Sequence, residues 1–357
     1  MPELKTPTIS NRAERALARA TKDRNARLAA GVVAGAGTAV AAAKVALDRA
    51  RQDTDDEQPR TFRLRRKESP IAGIRRVAEG RADEALDQLR DGVERNPEAA
   101  VHEARKDLKK LRSVLRLVRH EIGEGVYRRE NVRFRDAGRA LSGARDAKVK
   151  LETLAALRER FDDRFADDEL ALLAHALEAE RQRLADPGGD ALALDRATGA
   201  IEAGREAIAD WPLHTDDWAL IGPGLRRSSG RGRSRLAEVR SEASDEAVHE
   251  WRKRVKDLWY HVRLVRNAKK SVLGDMADQT HHLSDLLGDH HDLAVLREDA
   301  IERRELLAAE TLETLRASIS ERQDELAADA IDLGERIYAK KPTAFERRIR
   351  AYWKGWR

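Results

Sequence analysis

"AVHEARKDLKKLRSVLRLVR" occupies residues 100–119, and "AVHEWRKRVKDLWYHVRLVR" occupies residues 247–266. One chain thus writes nearly the same segment twice, with Val-His-Glu near the start of each copy. In the first, Val101, Ala104, Leu108, Leu111, Leu115, Val118 and Ile122 recur three and four residues apart, the spacing of one apolar helix face. Val248, Trp251, Val255, Leu258, Val262 and Val265 repeat that face in the second. Both segments read as helices that bury one side in a bundle.

A second stripe runs beside the first, displaced by one residue or roughly 100° of helix. It consists of His102, Arg105, Lys109, Arg112, Arg116 and Arg119 in the first copy. In the second it is His249, Arg252, Lys256, Arg263 and Arg266, with Trp259 in the place between Lys256 and Arg263. A solvated charged face is the ordinary explanation of such a stripe, but solvated faces mix signs, often with Glu four residues before Lys. Neither stripe contains an acid, and like charges at this spacing repel by a few tenths of a kcal/mol per pair. An anion that neutralises the stripe accounts for the pattern. Its length, roughly 25 Å at 1.5 Å per residue, suits an extended polyanion better than a single phosphate.

The rest of the chain is consistent with this. Its 357 residues suit two modest cores better than one, and a composition of 37% charged and 4% aromatic residues favours helix over strand. The net charge is only +5, yet residues 102–119 hold seven basic side chains against two acids and residues 249–266 hold six against two. The remainder is therefore net acidic, and positive charge is concentrated in the repeated helices. There is no cysteine, which excludes disulfides, thiolate catalysis and Cys-ligated zinc and fits a cytoplasmic protein.

Residues 1–60 read as a separate tail. The run "LAAGVVAGAGTAVAAA" (28–43) is too short and too rich in Ala and Gly for a membrane span, and too far from the start for a signal peptide. A weak helix or flexible segment is its plain reading, and association with a granule or membrane surface is the alternative. From about Thr61 onward the pattern is helical. Breakers fall at "ERNPEA" (94–99), "ADPGGD" (185–190), "GPGLRRSSGRGRSR" (222–235) and "KKPTA" (340–344). The longest, 222–235, reads as a flexible basic loop that divides a first repeat (61–221) from a second (236–357).

The halves share a second motif. "LSGARDAKV" (141–149) answers "LGDHHDLAV" (287–295), so Leu141 and Leu287 are 146 apart while His102 and His249 are 147 apart. A near-constant offset marks a duplicated unit.

These paired segments, in order and at near-constant offset, resemble the CHAD family, the conserved histidine α-helical domain, over roughly Thr61 to Arg357. The resemblance implies an all-α fold of two pseudo-symmetric helical bundles about a basic central groove. It implies inorganic polyphosphate as ligand, and association of some members with polyphosphate-containing granules. Carried onto this chain, the expected contacts are His102, Arg105, Lys106, Lys109, Arg112 and Arg116 in the first half. In the second they are His249, Arg252, Lys253, Lys256 and Arg263, with Arg145 a weaker candidate. Asp107 and Asp257 stand where such helices often carry bases, Trp259 replaces a commonly basic position and Ser142 fills a Leu-Gly slot. The first helix therefore reads as the stronger anion binder. The Glu-x-Glu-x-Lys signature of the triphosphate-processing CYTH domain, to which many relatives are fused, is absent from the sequence, so the resemblance implies binding rather than hydrolysis.

Other readings compete. The stripes carry few aromatics, whereas grooves for single-stranded nucleic acid interleave them, which disfavours a nucleic-acid partner. Trp259 reads as packing against a neighbouring helix. "HHLSDLLGDHH" (281–291) offers His281, His282, His290 and His291 with Asp285, Asp289 and Asp292, and the i,i+4 pairs Asp278–His282 and His281–Asp285 could chelate. Gly288 is expected to interrupt that run, and no metal or other cofactor is expected. No nucleophile triad, phosphate-binding glycine loop or paired-carboxylate motif stands out, so no catalytic residue is assigned and an enzyme is disfavoured; a polyphosphate- or triphosphate-processing activity is the alternative.

Overall fold

The computed structural model describes residues 60–141, 144–166, 168–184 and 191–357; the side chains of residues 144–146 and 184 lie outside that description. The expectations for the tail, the 185–190 breaker, Ser142 and the Arg145 side chain therefore fall outside the described residues. Residues Pro59–Arg357 make up one compact unit. Among the described residues the regular structure is helical throughout, with no strand.

The helices begin later than the sequence suggests. Residues 60–69 form an irregular segment whose Phe62 and Leu64 are buried and whose Leu64 N–H donates to Leu264 O at 2.8 Å. Helix α1 (Pro70–Asp87) follows, capped by Ser69 and opened by proline at its first turn. A π-helical stretch Gln88–Gly92 and a short turn Val93–Arg95 lead to α2 (Pro97–Leu117). The Asn96 side chain accepts from Ala99 N at 3.1 Å, so the "ERNPEA" breaker is a capped start with Pro97 in the first turn. Next come α3 (Arg119–Ala140), bent at Gly123, which has φ 75°, then α4 (Ala144–Arg160), α5 (Ala171–Leu184) and α6 (Ala191–Ala207).

After a 3₁₀ turn at Trp218–Leu220 comes α7 (Gly222–Ser241). The expected flexible loop at 222–235 is thus a helix, and the expected boundary at 235/236 falls inside it. The glycines there serve close packing instead of turning. A Cβ on Gly224 would lie 2.1 Å from Leu117 O in α2, and one on Gly232 would lie 2.3 Å from the Tyr338 hydroxyl. Pro223 stands in the first turn, where its missing N–H is harmless. Composition alone could not separate these uses of glycine and proline from a linker.

The chain continues as α8 (Asp245–Leu264), capped by Ser244, then the long α9 (Lys270–Glu302), α10 (Ala309–Ile337) and α11 (Pro342–Trp356). Helix α9 runs unbroken through Gly288, contrary to the expected interruption. No helix among the described residues is long and apolar enough to cross a membrane.

Both repeated segments bury their apolar stripes as expected. From Ala104 to Ile122 and from Val248 to Val265, every stripe residue is at most 2% exposed, while Val101 sits half-buried at the edge. At roughly 1.5–3 kcal/mol for each large side chain, these stripes are the main anchors of α2 and α8. The larger core joins them to α1, α3, α6, α7 and α11. A smaller core joins Leu154, Phe161 and Leu173 of the α4–α5 region to Leu296, Ile319 and Leu326 of α9–α10. Each core therefore draws on both halves of the sequence.

Candidate anion site

Helices α2 and α8 pack on each other, which gives each a third stripe that the sequence pattern does not reveal. On α8 it is Glu250, Arg254, Asp257 and His261, on the side away from the basic stripe. His261 Nε2 lies 2.9 Å from Ser113 O of α2, and Arg116 Nε donates to Asp257 Oδ1 at 2.7 Å. Burial pushes the His261 imidazole down to about 4, so at neutral pH it is an uncharged strut between the helices. Arg116, an expected phosphate contact, is thus committed through Nε to a carboxylate that is 6% exposed. Asp107 plays the matching part on α2, accepting from Lys110 at 2.7 Å and Arg81 at 2.9 Å. The two acids that depart from an all-basic pattern are therefore buried counter-charges.

The basic stripe of α8 faces α9, and the two helices run antiparallel in strict register. Arg266 lies against Gly274, Trp259 against His281, Arg252 against Gly288 and His249 against His291. Seven residues forward on α9 match seven residues back on α8. A Cβ on Gly288 would lie 3.3 Å from Arg252 Nη2, and the imidazoles of His249 and His291 have centroids 4.2 Å apart. Trp259 meets His281 edge-on at 4.2 Å and stacks on Tyr260 at 4.7 Å, so it fills the helix interface.

Around Lys256 positive charge is not balanced. Burial first, then the charges of Arg252 and of Lys109 across on α2, push its amine down to about 7, against a smaller pull from Asp285 and Asp292. Burial, His249 and Arg252 push His291 down to about 4. Burial, Lys253 and Arg252 lower His249. Arg252 Nε and His249 Nδ1 are buried with no hydrogen-bond partner among the described residues. Depressed cations and unmatched polar atoms are the features that a bound anionic group would offset.

The other expected contacts divide. Lys109 is exposed and joins this group through its effect on Lys256. Arg112 is half-buried, donates from Nε to Asn131 Oδ1 at 3.1 Å, and is held down to about 10 by burial and Arg116. Lys106 pairs with Glu103 at 3.1 Å and Lys253 pairs with Glu250, each one turn back on its own helix. His102 Nε2 is 3.8 Å from Glu103, and Arg105 is half-buried on the same stripe. The surroundings of the two stripes differ: α3 offers acceptors to the α2 stripe, Asn131 to Arg112 and Glu124 to Arg119, while α9 sets Gly288, His291 and the carboxylates of Asp285 and Asp292 beside the α8 stripe.

Arg263 lies elsewhere. Its guanidinium sits 5.1 Å from the Trp259 ring and 5.7 Å from Phe62, in a buried group with Arg63, Arg81 and Arg266. Burial and those charges hold it down to about 10, and Lys110 in the same group is held down to about 8. Sequence reasoning missed Lys110 and Arg81 because they lie off the stripe. It placed His291 in the repeated motif and in the candidate metal-ligand run, not in the anion site. His281 Nδ1 pairs with Asp285 at 2.7 Å, while His290 turns the other way, toward Gln323 and Asp245. One continuous helix fans the His/Asp run over several faces, and among the described residues no group of three or more such ligands is placed to hold a metal.

A protein-family model, the CHAD domain, matches residues 76–300. No curated protein matches the chain at a significant level.

Proposed function

The chain belongs to the CHAD family, and from that premise we propose that it binds inorganic polyphosphate as a non-catalytic binding or targeting module. The observation that carries this reading is Lys256: a half-buried amine facing Arg252 and Lys109, held down to about 7 by burial first and then by those two cations. A phosphate chain along His249, Arg252, Lys256 and Lys109 restores that charge. In this reading the two halves are pseudo-symmetric repeats, α2 and α8 are the walls of a shared basic groove, and α8 is the stronger wall. Guanidinium groups grip two oxygens each, while lysines act as mobile point charges. Delivery to polyphosphate-containing granules in the cytoplasm is the process that fits.

The test is direct titration with polyphosphates of several lengths. Affinity is expected to rise with chain length and level off once roughly 25 Å of stripe is filled. Triphosphate binding as tightly as long chains overturns the groove. Phosphate release from polyphosphate with Mg²⁺ or Mn²⁺ overturns the non-catalytic reading. Duplex DNA displacing polyphosphate at equal phosphate concentration overturns the choice of ligand; salt sensitivity, common to all polyanion contacts, does not discriminate.

A further inference from the structure

Helix α7 carries the Arg/Gly/Ser segment that the polyphosphate reading leaves unused. Its outer side walls a cavity of about 560 Å³, lined by Arg227, Arg231, Arg233 and Arg235 of α7, Arg254 of α8 and Ser234. That volume lies within the range of small-molecule sites, roughly 300–1,000 Å³.

Two of the arginines are held in place by backbone oxygens, which leave their charge unspent. Arg227 donates to the backbone oxygen of Arg116 at 2.5 Å, and Arg233 donates to Tyr338 O at 3.0 Å. Arg254 stands 3.5 Å from both Glu250 and Asp257. Glu238, the one acid in the lining, pairs with Arg235. Arg231 is exposed. Burial, together with the charges of Arg119 and Arg231, lowers Arg227. Of the five guanidinium groups, Arg235 is paired with Glu238 and Arg254 with Glu250 and Asp257, so the local excess of positive charge rests with Arg227, Arg231 and Arg233.

The cavity's chemistry limits what it can take. Guanidinium forks match phosphate oxygens in pairs, and one phosphate is too small to engage five of them. The lining holds no aromatic ring on which a base could stack. A chain on the α2–α8 stripe does not reach the cavity through the cleft between them. That cleft, lined by Arg116, Arg119, Arg227 and Arg231, has room for only about 10 Å³, roughly one water molecule and too little for a phosphate chain.

We propose that this cavity is a second anion site, which takes a compact molecule bearing several phosphate groups and no nucleobase, such as a cyclitol polyphosphate. It is independent of the polyphosphate reading, because different residues line it.

The test is calorimetric titration of the full-length protein with inositol hexakisphosphate and, separately, with long-chain polyphosphate. Arg231→Glu should weaken inositol hexakisphosphate at least tenfold and leave long-chain polyphosphate within twofold. Ser234→Asp, at a second exposed position in the lining, should do the same, so the outcome does not hang on one variant's folding. Lys256→Gln should show the reverse pattern. Unchanged inositol hexakisphosphate affinity in both α7 variants overturns the proposal, as does its loss in Lys256→Gln. Equal weakening of both ligands by Arg231→Glu also overturns it, since that marks one continuous track. If long-chain polyphosphate fails to bind the parent protein at all, the polyphosphate reading fails and the inositol hexakisphosphate arm still decides this one.

Discussion

Gly288 of α9 leaves the space that the Arg252 guanidinium of α8 occupies: a Cβ there would stand 3.3 Å from Arg252 Nη2. A mid-helix glycine costs about 1 kcal/mol relative to alanine. Here that cost coincides with the placement of a basic side chain beside His249 and Lys256. Gly288→Ala is expected to hold or raise the melting temperature, because only the far end of a flexible side chain must move. It should weaken long-chain polyphosphate several-fold, because Arg252 moves. Thermal denaturation and titration of the same preparation check both signs.

Gly224 presents the opposite case. A Cβ there would meet the backbone oxygen of Leu117 at 2.1 Å, and backbone packed where the end of α2 meets the first turn of α7 has little room to step aside. Gly224→Ala is expected to cost more than about 2 kcal/mol, read from the denaturant midpoint. A neutral result removes the close α2–α7 approach.

Lys256 makes stability depend on pH in a definite direction. Its folded value of about 7 lies below the ordinary 10.5. Between those values the unfolded chain binds more protons, so stability rises with pH across that window and the penalty is fully present below it. Lys110, at about 8, acts in the same sense. Lys256→Met should therefore stabilise the ligand-free protein at pH 7, by on the order of 1–3 kcal/mol, and flatten its stability profile from pH 7 to 10. Chemical denaturation at four or five pH values suffices, and an unchanged slope counts against the charge imbalance.

Bound polyphosphate should reverse those shifts, because an anion favours the charged forms of Lys256, His249 and His291. Binding then takes up protons, and affinity is expected to rise as pH falls from 8 to 6, by roughly tenfold for each proton taken up per pH unit. Comparing buffers of different ionisation enthalpy reports the protons directly. His249→Ala with His291→Ala should remove part of the dependence. A flat profile in the parent protein, with His102→Ala and His249→Ala both silent, removes the histidines from the site.

Asp257 neutralises Arg116 across the α2–α8 contact at 2.7 Å. Asp257→Asn leaves a half-buried guanidinium without its counter-charge and should destabilise by roughly 3 kcal/mol. Asp257→Asn with Arg116→Met should recover much of that loss. Urea denaturation of the two single variants and the double variant measures the coupling.

The amino-acid sequence by itself determined the helical class, the buried stripes of α2 and α8, and the basic stripe from His249 to Lys256. All of these are periodic or local, set by 3.6 residues per turn and by side chains within a few positions of one another. It misread 222–235 and Gly288, because a glycine that admits a neighbouring backbone or guanidinium has the same letter as one that turns the chain. The tertiary structure alone decided which positive charges remain unanswered. Arg116 finds Asp257 141 residues away, Lys150 finds Asp299 149 residues away, and Lys256 is left among cations drawn from two helices. A charge's counterpart is fixed by distance in space, and spacing along the chain carries no record of it.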